Sequence, residues 1–297
     1  MTPSLPALSE RAARAVGQIA PPLIALVVSA VLFGAFVALA GSNPFEVYYT
    51  LYRGAFGTWF SWQNSLTRAA PLLLAALCTA LPARVGLLVI GGEGALIMGG
   101  LAAAVAGFLV MDASPWVVQA TMIVAAIIFG GLWVGISGAL RYFRGVNETI
   151  SSLLMNYLAI SLLLYMVGGP FRDPESLNKP STHPIGDANR VGSIPGADIH
   201  WGFVAGVVAC VLLWFLYRHT TFGFSASVTG GSAHGARAMG LGVGGVLLTS
   251  CFLGGAGAGL AGAYEVLAVH GSANSSLIAG YGYTGILVAF LARQNPI

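Results

Sequence analysis

Four polar residues lie within or at the edge of long apolar runs, where such groups could contact a passing solute. Glu93 follows a Gly-Gly pair at the start of one run, Glu265 falls late in another, and Asn156 and Tyr157 are neighbours within a third. Ionisable and amide groups are costly in apolar surroundings and therefore mark solute pathways by default. We predict Glu93, Asn156, Tyr157 and Glu265 as candidates for lining a translocation path.

Each of these residues also has a structural interpretation. A carboxylate at a helix N-terminus is stabilised by the helix dipole, so Glu93 could simply tie down the segment before it. Glu265 would be interfacial if its helix ended one turn earlier. Asn156 and Tyr157 could make hydrogen bonds between helices. These alternatives stay open at the level of the sequence.

Motifs for hydrolytic, metal or nucleotide chemistry are missing from the sequence. The chain has a single lysine, Lys179, and no Gly-x-x-x-x-Gly-Lys-Ser/Thr, His-Glu-x-x-His or Gly-x-Ser-x-Gly pattern. Its five histidines are dispersed, and its three cysteines lie in apolar runs as packing residues would. The sequence therefore predicts a protein that is not an enzyme and carries no cofactor or metal.

The composition indicates a protein that lies in a lipid bilayer. Hydrophobic residues make up 57% of the 297 residues and charged residues 8%, whereas soluble domains are roughly 25% charged. A net charge of +3 from scattered residues argues against nucleic acid as a partner. Backbone groups in lipid must be bonded within the protein, which favours helices. We predict an all-α, polytopic transmembrane helix bundle.

The apolar runs predict about eight spans after a cytoplasmic tail of residues 1–20. The transmembrane region covers 21–297, with an outer loop at 170–200 and a cytoplasmic loop at 218–242. The run at 23–40 resembles a signal peptide, but its length favours a helix that is kept. The predicted spans lie near residues 21–40, 66–81, 94–111, 116–140, 149–168, 201–217, 243–268 and 281–292.

The distribution of basic residues predicts a cytoplasmic N-terminus. With alternate threading of the eight spans, eight arginines fall on the cytoplasmic side and five basic residues on the outer side, as the positive-inside rule favours. The inner set is Arg11, Arg14, Arg84, Arg141, Arg144, Arg218, Arg237 and Arg293. The outer set is Arg53, Arg68, Arg172, Lys179 and Arg190.

Two stretches interrupt the apolar runs with glycine, proline or serine. We call residues 81–94 the first broken segment and residues 270–283 the second broken segment. In the threading above they enter the membrane from opposite faces, as an inverted pair of repeats would. Broken helices in matching halves of a membrane protein indicate a transport path, although ordinary short loops are the alternative.

Several segments resemble the permeases of ATP-binding-cassette (ABC) importers of the ribose and branched-chain amino acid superfamily. Residues 71–104, from Pro71 to Ala104, are similar to its signature region. Residues 145–157, 254–270 and 280–296 are similar to segments of its nucleoside and simple-sugar branch. The resemblance covers roughly residues 20–297. It implies a permease subunit in a bacterial plasma (inner) membrane, forming the path for nucleosides or simple sugars.

The resemblance also implies partners. These are a cytoplasmic ABC ATPase that hydrolyses ATP, a second, homologous permease, and an extracytoplasmic substrate-binding protein. The coupling loop to the ATPase would contain Gly230, Ser232, His234, Ala236, Arg237 and Gly240. Family members usually read Gly-Glu-Asn-Pro-Glu-Ala-Ala-Arg here, so this chain keeps Gly230, Ala236, Arg237 and Gly240 but replaces the acidic and proline positions.

Family members also continue for one or two helices beyond the Asn-Pro motif, so we expect this chain to be a truncated form. The sequence does not choose between a nucleoside and a sugar, and homologous pairing could join two identical or two different permeases. A secondary carrier or channel that uses Glu265 without ATP is the alternative function.

Overall fold

The computed structural model describes residues 8–176 and 178–296, and these residues contain helices and irregular segments without a β-strand. Residues 1–7 of the predicted N-terminal tail lie outside the described residues, and the rest of that tail is already helical. The helices are α1 (Leu8–Leu39), α2 (Pro44–Phe56), α3 (Trp59–Ala83), α4 (Gly92–Leu109), α5 (Pro115–Arg144), α6 (Glu148–Gly168), α7 (Gly202–His219), α8 (Thr221–Gly231), α9 (Ala233–Ala238), α10 (Val243–Tyr264) and α11 (Tyr281–Leu291).

Local sequence signals set the boundaries between consecutive helices. Gly145 ends α5 with a left-handed φ of 69°, and its N–H donates to the Arg141 carbonyl at 3.0 Å. Asn147 then caps α6 by accepting a hydrogen bond from the Ile150 N–H at 3.1 Å. Glycine is favoured at left-handed C-terminal positions and asparagine at N-caps. The turn between α5 and α6 is therefore encoded by three consecutive residues.

The predicted all-α membrane bundle is confirmed, with fewer full spans than the eight expected. Among the described residues, six helices are long and apolar enough to cross a membrane, or seven if the bent pair of residues 23–39 and 44–56 counts as one. The last predicted span, 281–292, forms α11, which has 11 residues. At 1.5 Å per residue, about 20 residues are needed to span, so α11 alone is too short.

The described residues up to Trp62 form a compact unit of their own. Within it, α2 folds back on α1 with a bend of 119°. The Tyr48 hydroxyl donates to the Ala30 carbonyl, and the Tyr48 ring lies 5.9 Å from the ring of Phe33. Most aromatic side chains of α2 are exposed, as expected for a helix at a membrane interface.

The second unit, residues 63–297, is built around α4, α5 and α10, which pack against one another. Small residues permit this contact. A Cβ atom added to Gly259 would lie 2.2 Å from the Ala126 carbonyl oxygen, and one added to Gly255 would lie 2.3 Å from that of Gly130. Helices in membranes associate through such close backbone approaches. The unit is therefore held by glycine-rich helix faces.

The two ends of this second unit collect different loops. At one end, the Arg84 Nε donates to the Gln294 carbonyl at 3.1 Å, and the Cα of Gly230 lies against the Arg84–Gly86 turn. At the other end, the loop of residues 170–200 contacts residues 267–276. The broken segments thus enter from opposite ends, as the threading predicted. Which end faces the cytoplasm stays a prediction.

Candidate functional site

Side chains of α6 bind the main chain of the first broken segment. Residues 84–91 are not helical, so their amide and carbonyl groups need partners. One face of α6 supplies them at intervals of four residues. Glu148 Oε1 accepts from the Leu88 N–H at 3.4 Å, Ser152 Oγ accepts from the Ile90 N–H at 3.0 Å, and Asn156 Oδ1 accepts from the Gly94 N–H at 2.8 Å.

Three further side-chain bonds complete this pairing. Asn156 Nδ2 donates to the Ile90 carbonyl at 2.9 Å, and Thr149 Oγ1 donates to the Leu88 carbonyl at 2.8 Å. Thr79 Oγ1, on α3, donates to the Val89 carbonyl at 3.1 Å. Irregular backbone is tolerated inside a membrane only where the protein supplies its hydrogen bonds. Glu148, Thr149, Ser152 and Asn156, which we call the α6 ladder, meet that requirement together with Thr79.

The first part of the second broken segment, up to Ala273, is held mainly by main chain instead. The outer loop runs beside it, and three amide groups of the loop donate to its carbonyls or to those of the turn just before it. They are the Thr182 N–H to Ala273 at 2.9 Å, the Ile185 N–H to Gly271 at 2.9 Å, and the Val191 N–H to Leu267 at 3.1 Å. Arg190 Nη2 adds a bond to the Val269 carbonyl at 2.9 Å.

The two broken segments meet at Glu93. Its side chain is fully buried, and its two carboxylate oxygens accept hydrogen bonds from the Gly280 N–H at 2.8 Å and the Gly282 N–H at 2.7 Å. Glu93 therefore lies in the first turn of α4 and also caps the N-terminus of α11, where a negative charge is stabilised. The structure thus places Glu93 at the point where the first and second broken segments meet.

The backbones also touch at this junction. A Cβ atom added to Gly282 would lie 2.0 Å from the Glu93 amide nitrogen and 2.4 Å from its Cα. No side chain larger than hydrogen fits there without movement of the main chain. The N-termini of α4 and α11 therefore meet in direct contact inside the bundle.

Asn156 and Tyr157 are adjacent in sequence but face different surroundings. Asn156 is fully buried in the α6 ladder and also lies 3.4 Å from the Tyr283 hydroxyl. Tyr157 is 59% exposed on the surface of this chain. The hydrogen bonds of Asn156 agree with its structural interpretation, in which the side chain bonds to other segments of the bundle. Its role in a path, like that of Tyr157, stays a prediction.

Glu265 lies at the start of a π-helical turn, Glu265–His270, which continues α10. Its side chain is almost fully buried, and its Oε2 lies 3.4 Å from Nε2 of His270. Single π-helical turns are rare and often occur at functional sites. Glu265 thus lies in the helical turn that follows α10 without a break, and its role in a path also stays a prediction.

The region predicted as a coupling loop contains two short helices, α8 and α9. Ser232 ends α8 and caps α9 by accepting from the Gly235 N–H at 3.0 Å. Ala236 is buried, whereas Gly230, His234, Arg237 and Gly240 are exposed. Gly240 has a left-handed φ of 76°, which allows the chain to turn into α10. The predicted residues therefore form an exposed, defined surface at the Arg84 end of the bundle.

The sequence interpretation missed most of the α6 ladder. Glu148, Thr149 and Ser152 were not singled out as contacts of the first broken segment, although Glu148, Ser152 and Asn156 recur at i, i+4 and i+8. That spacing places them on one helix face. Polar residues at this interval on an apolar helix are the sequence signal from which a polar contact face on α6 could be predicted.

Among the described residues, no group of three or more histidine, cysteine, aspartate or glutamate side chains could hold a metal ion. The cysteines Cys78, Cys210 and Cys251 are buried and free. The polar groups described above bind the backbone and one another. The arrangement can position broken helices, but the described residues offer no metal chemistry.

Comparisons with known proteins agree with this architecture. Residues 61–297 match the model of a family described as "Branched-chain amino acid transport system / permease component". The chain is 33% identical over 290 residues to the glucose ABC transporter permease protein TsgB13 of Haloferax volcanii, an alignment that covers 93% of this chain and 75% of that protein.

Other relatives have similar names. The chain is 29% identical to the guanosine ABC transporter permease protein NupP of Bacillus subtilis, covering 93% of this chain and 80% of that protein. It is 26% identical to the nucleoside ABC transporter permease protein NupB of Lactococcus lactis, covering 93% and 78% respectively. No solved structure matches the chain.

The family match and these relatives favour an ABC importer over the alternative of an ATP-independent carrier or channel. The helices described above agree with a multi-pass membrane protein. The chain belongs to the branched-chain amino acid transport system permease-component family and is a membrane-spanning permease subunit of an ABC importer.

Proposed function

We propose that this permease imports a nucleoside or a simple sugar. The observation that carries the proposal is the junction at Glu93, where two broken helices from opposite ends of the bundle meet. Such junctions form solute sites near the middle of many membrane transporters. Relatives named for glucose, guanosine and nucleosides support the substrate class.

The four predicted path residues would contribute in different ways. We assign Glu265 to the path itself, because it is an ionisable group in a span beside a cavity. Glu93 and Asn156 would shape the path from behind by fixing the broken segments. Tyr157, exposed on α6, would contact whatever covers that face of the chain, which in the proposed assembly is a second permease.

ATP hydrolysis would occur on a separate ATPase subunit that docks on the cytoplasmic loop 218–242. The exposed Arg237 and His234 of this loop lie at the Arg84 end of the bundle, where most of the arginines predicted to be cytoplasmic lie. The positive-inside rule supports a cytoplasmic location for this end of the second unit, and Arg11 and Arg14 before the first predicted span support a cytoplasmic N-terminus in a bacterial inner membrane. An extracytoplasmic binding protein would deliver the solute to the opposite end.

A reversed charge at Arg237 tests this docking surface. We expect Arg237→Glu to lower recovery of the permease with its ATPase by about tenfold, since a like-charge contact at an interface is costly. Arg172→Glu, in the outer loop, is the matched control and should leave recovery unchanged. Wild-type recovery of Arg237→Glu from detergent-solubilised membranes would contradict the assignment of the coupling loop.

Reconstitution tests the function as a whole. Proteoliposomes that contain the permease, the ATPase and the binding protein should accumulate labelled glucose or guanosine only when ATP is present on the ATPase side. An ionophore that abolishes ion gradients should leave this uptake unchanged. Uptake that needs a gradient but no ATP, or no uptake of either solute by an intact complex, would refute the proposal.

A further inference from the structure

A cavity of about 380 Å³ lies beside the π-helical turn, at the end of the second unit that carries the loop of residues 170–200. Its walls come from α3, from that turn and from the second broken segment. Seven of the lining residues carry side chains with hydrogen-bonding groups: Asn64, Thr67, Arg68, Glu265, His270, Ser276 and Tyr281. Small-molecule sites combine such a concave shape with a few convergent polar groups.

The charged groups of this cavity are arranged in two pairs. Glu265 Oε2 lies 3.4 Å from Nε2 of His270, and the Arg68 guanidinium is within hydrogen-bonding reach of the Tyr281 hydroxyl. Glu265 is 6% exposed, whereas Arg68 is exposed. A carboxylate accepts hydrogen bonds only, and a guanidinium only donates them. The cavity therefore offers acceptors and donors together, which suits hydroxyl groups.

A second imidazole lies behind the cavity. His200 is 8% exposed, its Nδ1 accepts from the Gly202 N–H at 3.1 Å, and its Nε2 makes no hydrogen bond of good geometry, with the Thr67 main chain nearby. Burial lowers the pKa of His200, although the nearby Glu265 carboxylate acts in the opposite direction.

The lining argues against a branched aliphatic solute. Carboxylate and guanidinium groups could hold the charged ends of an amino acid, but Val269 and Ala279 are the two aliphatic residues of the lining. A branched aliphatic side chain would need an apolar pocket for its transfer from water. Asn64, Thr67 and Ser276 instead present polar groups. The volume is near the lower end of small-molecule sites, roughly 300–1,000 Å³, and suits a single sugar ring.

We propose that this cavity is a binding site of the permease for an uncharged, polyhydroxylated ring, held by Glu265 and Arg68 as it enters from the outer side. The ring is either a free monosaccharide or the ribose of a nucleoside. This inference rests on the proposed function, because the site lies on the way to the Glu93 junction only if the outer loop faces the binding protein.

Charge-neutralising variants test the site in the reconstituted complex. We expect Glu265→Gln and Arg68→Gln each to lower the maximal uptake rate of the transported solute by about tenfold, the effect of losing one hydrogen bond to a charged group. Asp112→Asn and Arg172→Gln remove the same charges outside the cavity and should transport at the wild-type rate. Co-purification with the ATPase establishes that every variant is folded.

Binding to the permease alone gives a second measurement. Saturation-transfer NMR on the permease in nanodiscs, with glucose, guanosine and leucine as probes, should detect the transported solute with wild-type protein and lose that signal with Glu265→Gln. Wild-type uptake by both cavity variants would overturn the inference and leave the proposed function intact. A leucine signal that depends on Glu265, without one from glucose or guanosine, would also overturn it. No uptake of glucose or guanosine by intact wild-type complex would refute both.

Discussion

Both broken segments of this permease contain irregular backbone whose amide and carbonyl groups need hydrogen-bond partners. Different groups supply these partners in the two segments. In the first, side chains of the α6 ladder bind the amides and carbonyls of residues 88–94. In the second, main-chain amides of the outer loop bind carbonyls of residues 267–273, with Arg190 and Thr182 as side-chain additions. The first arrangement depends on the identity of a few residues, and the second depends mainly on the path of a loop.

This difference predicts where substitutions matter. A side chain removed from the α6 ladder leaves buried backbone groups without partners, which costs about 1–3 kcal/mol for each group. A side chain removed from the outer loop leaves the main-chain bonds in place. The two segments should therefore respond differently to mutation, although both end at the same carboxylate, Glu93.

The largest effect is expected at the junction itself. Gly282→Ala would place a Cβ atom 2.0 Å from the Glu93 amide nitrogen, so the main chain of α4 or α11 would have to move. We expect a loss of about 3 kcal/mol or more and little folded protein. Fluorescence-detected size-exclusion chromatography in detergent measures this loss. Gly135→Ala, with open space around its Cβ position, should behave like wild type; equal behaviour of both variants would contradict the junction.

The second effect is expected in the α6 ladder. Asn156→Ala would leave the Gly94 N–H and the Ile90 carbonyl without their side-chain partner. We expect a loss of about 2–5 kcal/mol in the free energy of unfolding, measured by thermal denaturation in detergent. Leu158→Ala, at an exposed position of the same helix, is the control. A similar decrease for both variants would contradict a stabilising role of the α6 ladder.

Glu93→Gln tests how the two segments are joined. An amide group has one accepting oxygen, so one of the two N–H groups, of Gly280 or Gly282, would lose its acceptor. We expect destabilisation by about 1–3 kcal/mol, less than for Asn156→Ala, in the same thermal assay. The exposed Glu175→Gln is the matched control. Unchanged stability of Glu93→Gln would mean that the carboxylate does not hold α11.

The smallest effect is expected at the second broken segment. Arg190→Met would remove the bond to the Val269 carbonyl and keep the apolar part of the side chain. The main-chain bonds of the outer loop would persist, and water can replace the guanidinium at this half-exposed position. We expect a change below about 1 kcal/mol in the same assay. A decrease in the free energy of unfolding as large as that of Asn156→Ala would contradict the proposed difference, that side chains hold the first segment and main chain holds the second.

The sequence predicted the helices and the broken segments because apolar runs and glycine or proline breakers are local signals. The predicted first span, 21–40, falls within the longer helix α1, which already begins at Leu8. It left 218–242 as a loop, whereas its small and apolar residues form α8 and α9. Hydrogen bonds such as those from α6 to residues 88–94 depend on tertiary register, which local patterns do not carry.

Amide hydrogen exchange of the two broken segments tests the central claim most directly. Exchange of peptides that contain residues 88–94 and 271–276 is compared between wild type and Asn156→Ala in nanodiscs. Loss of the side-chain partner should accelerate exchange in residues 88–94 and leave residues 271–276 unchanged. Equal acceleration of both segments, or no change in either, would contradict the claim that residues 88–94 and residues 271–276 are held by different groups.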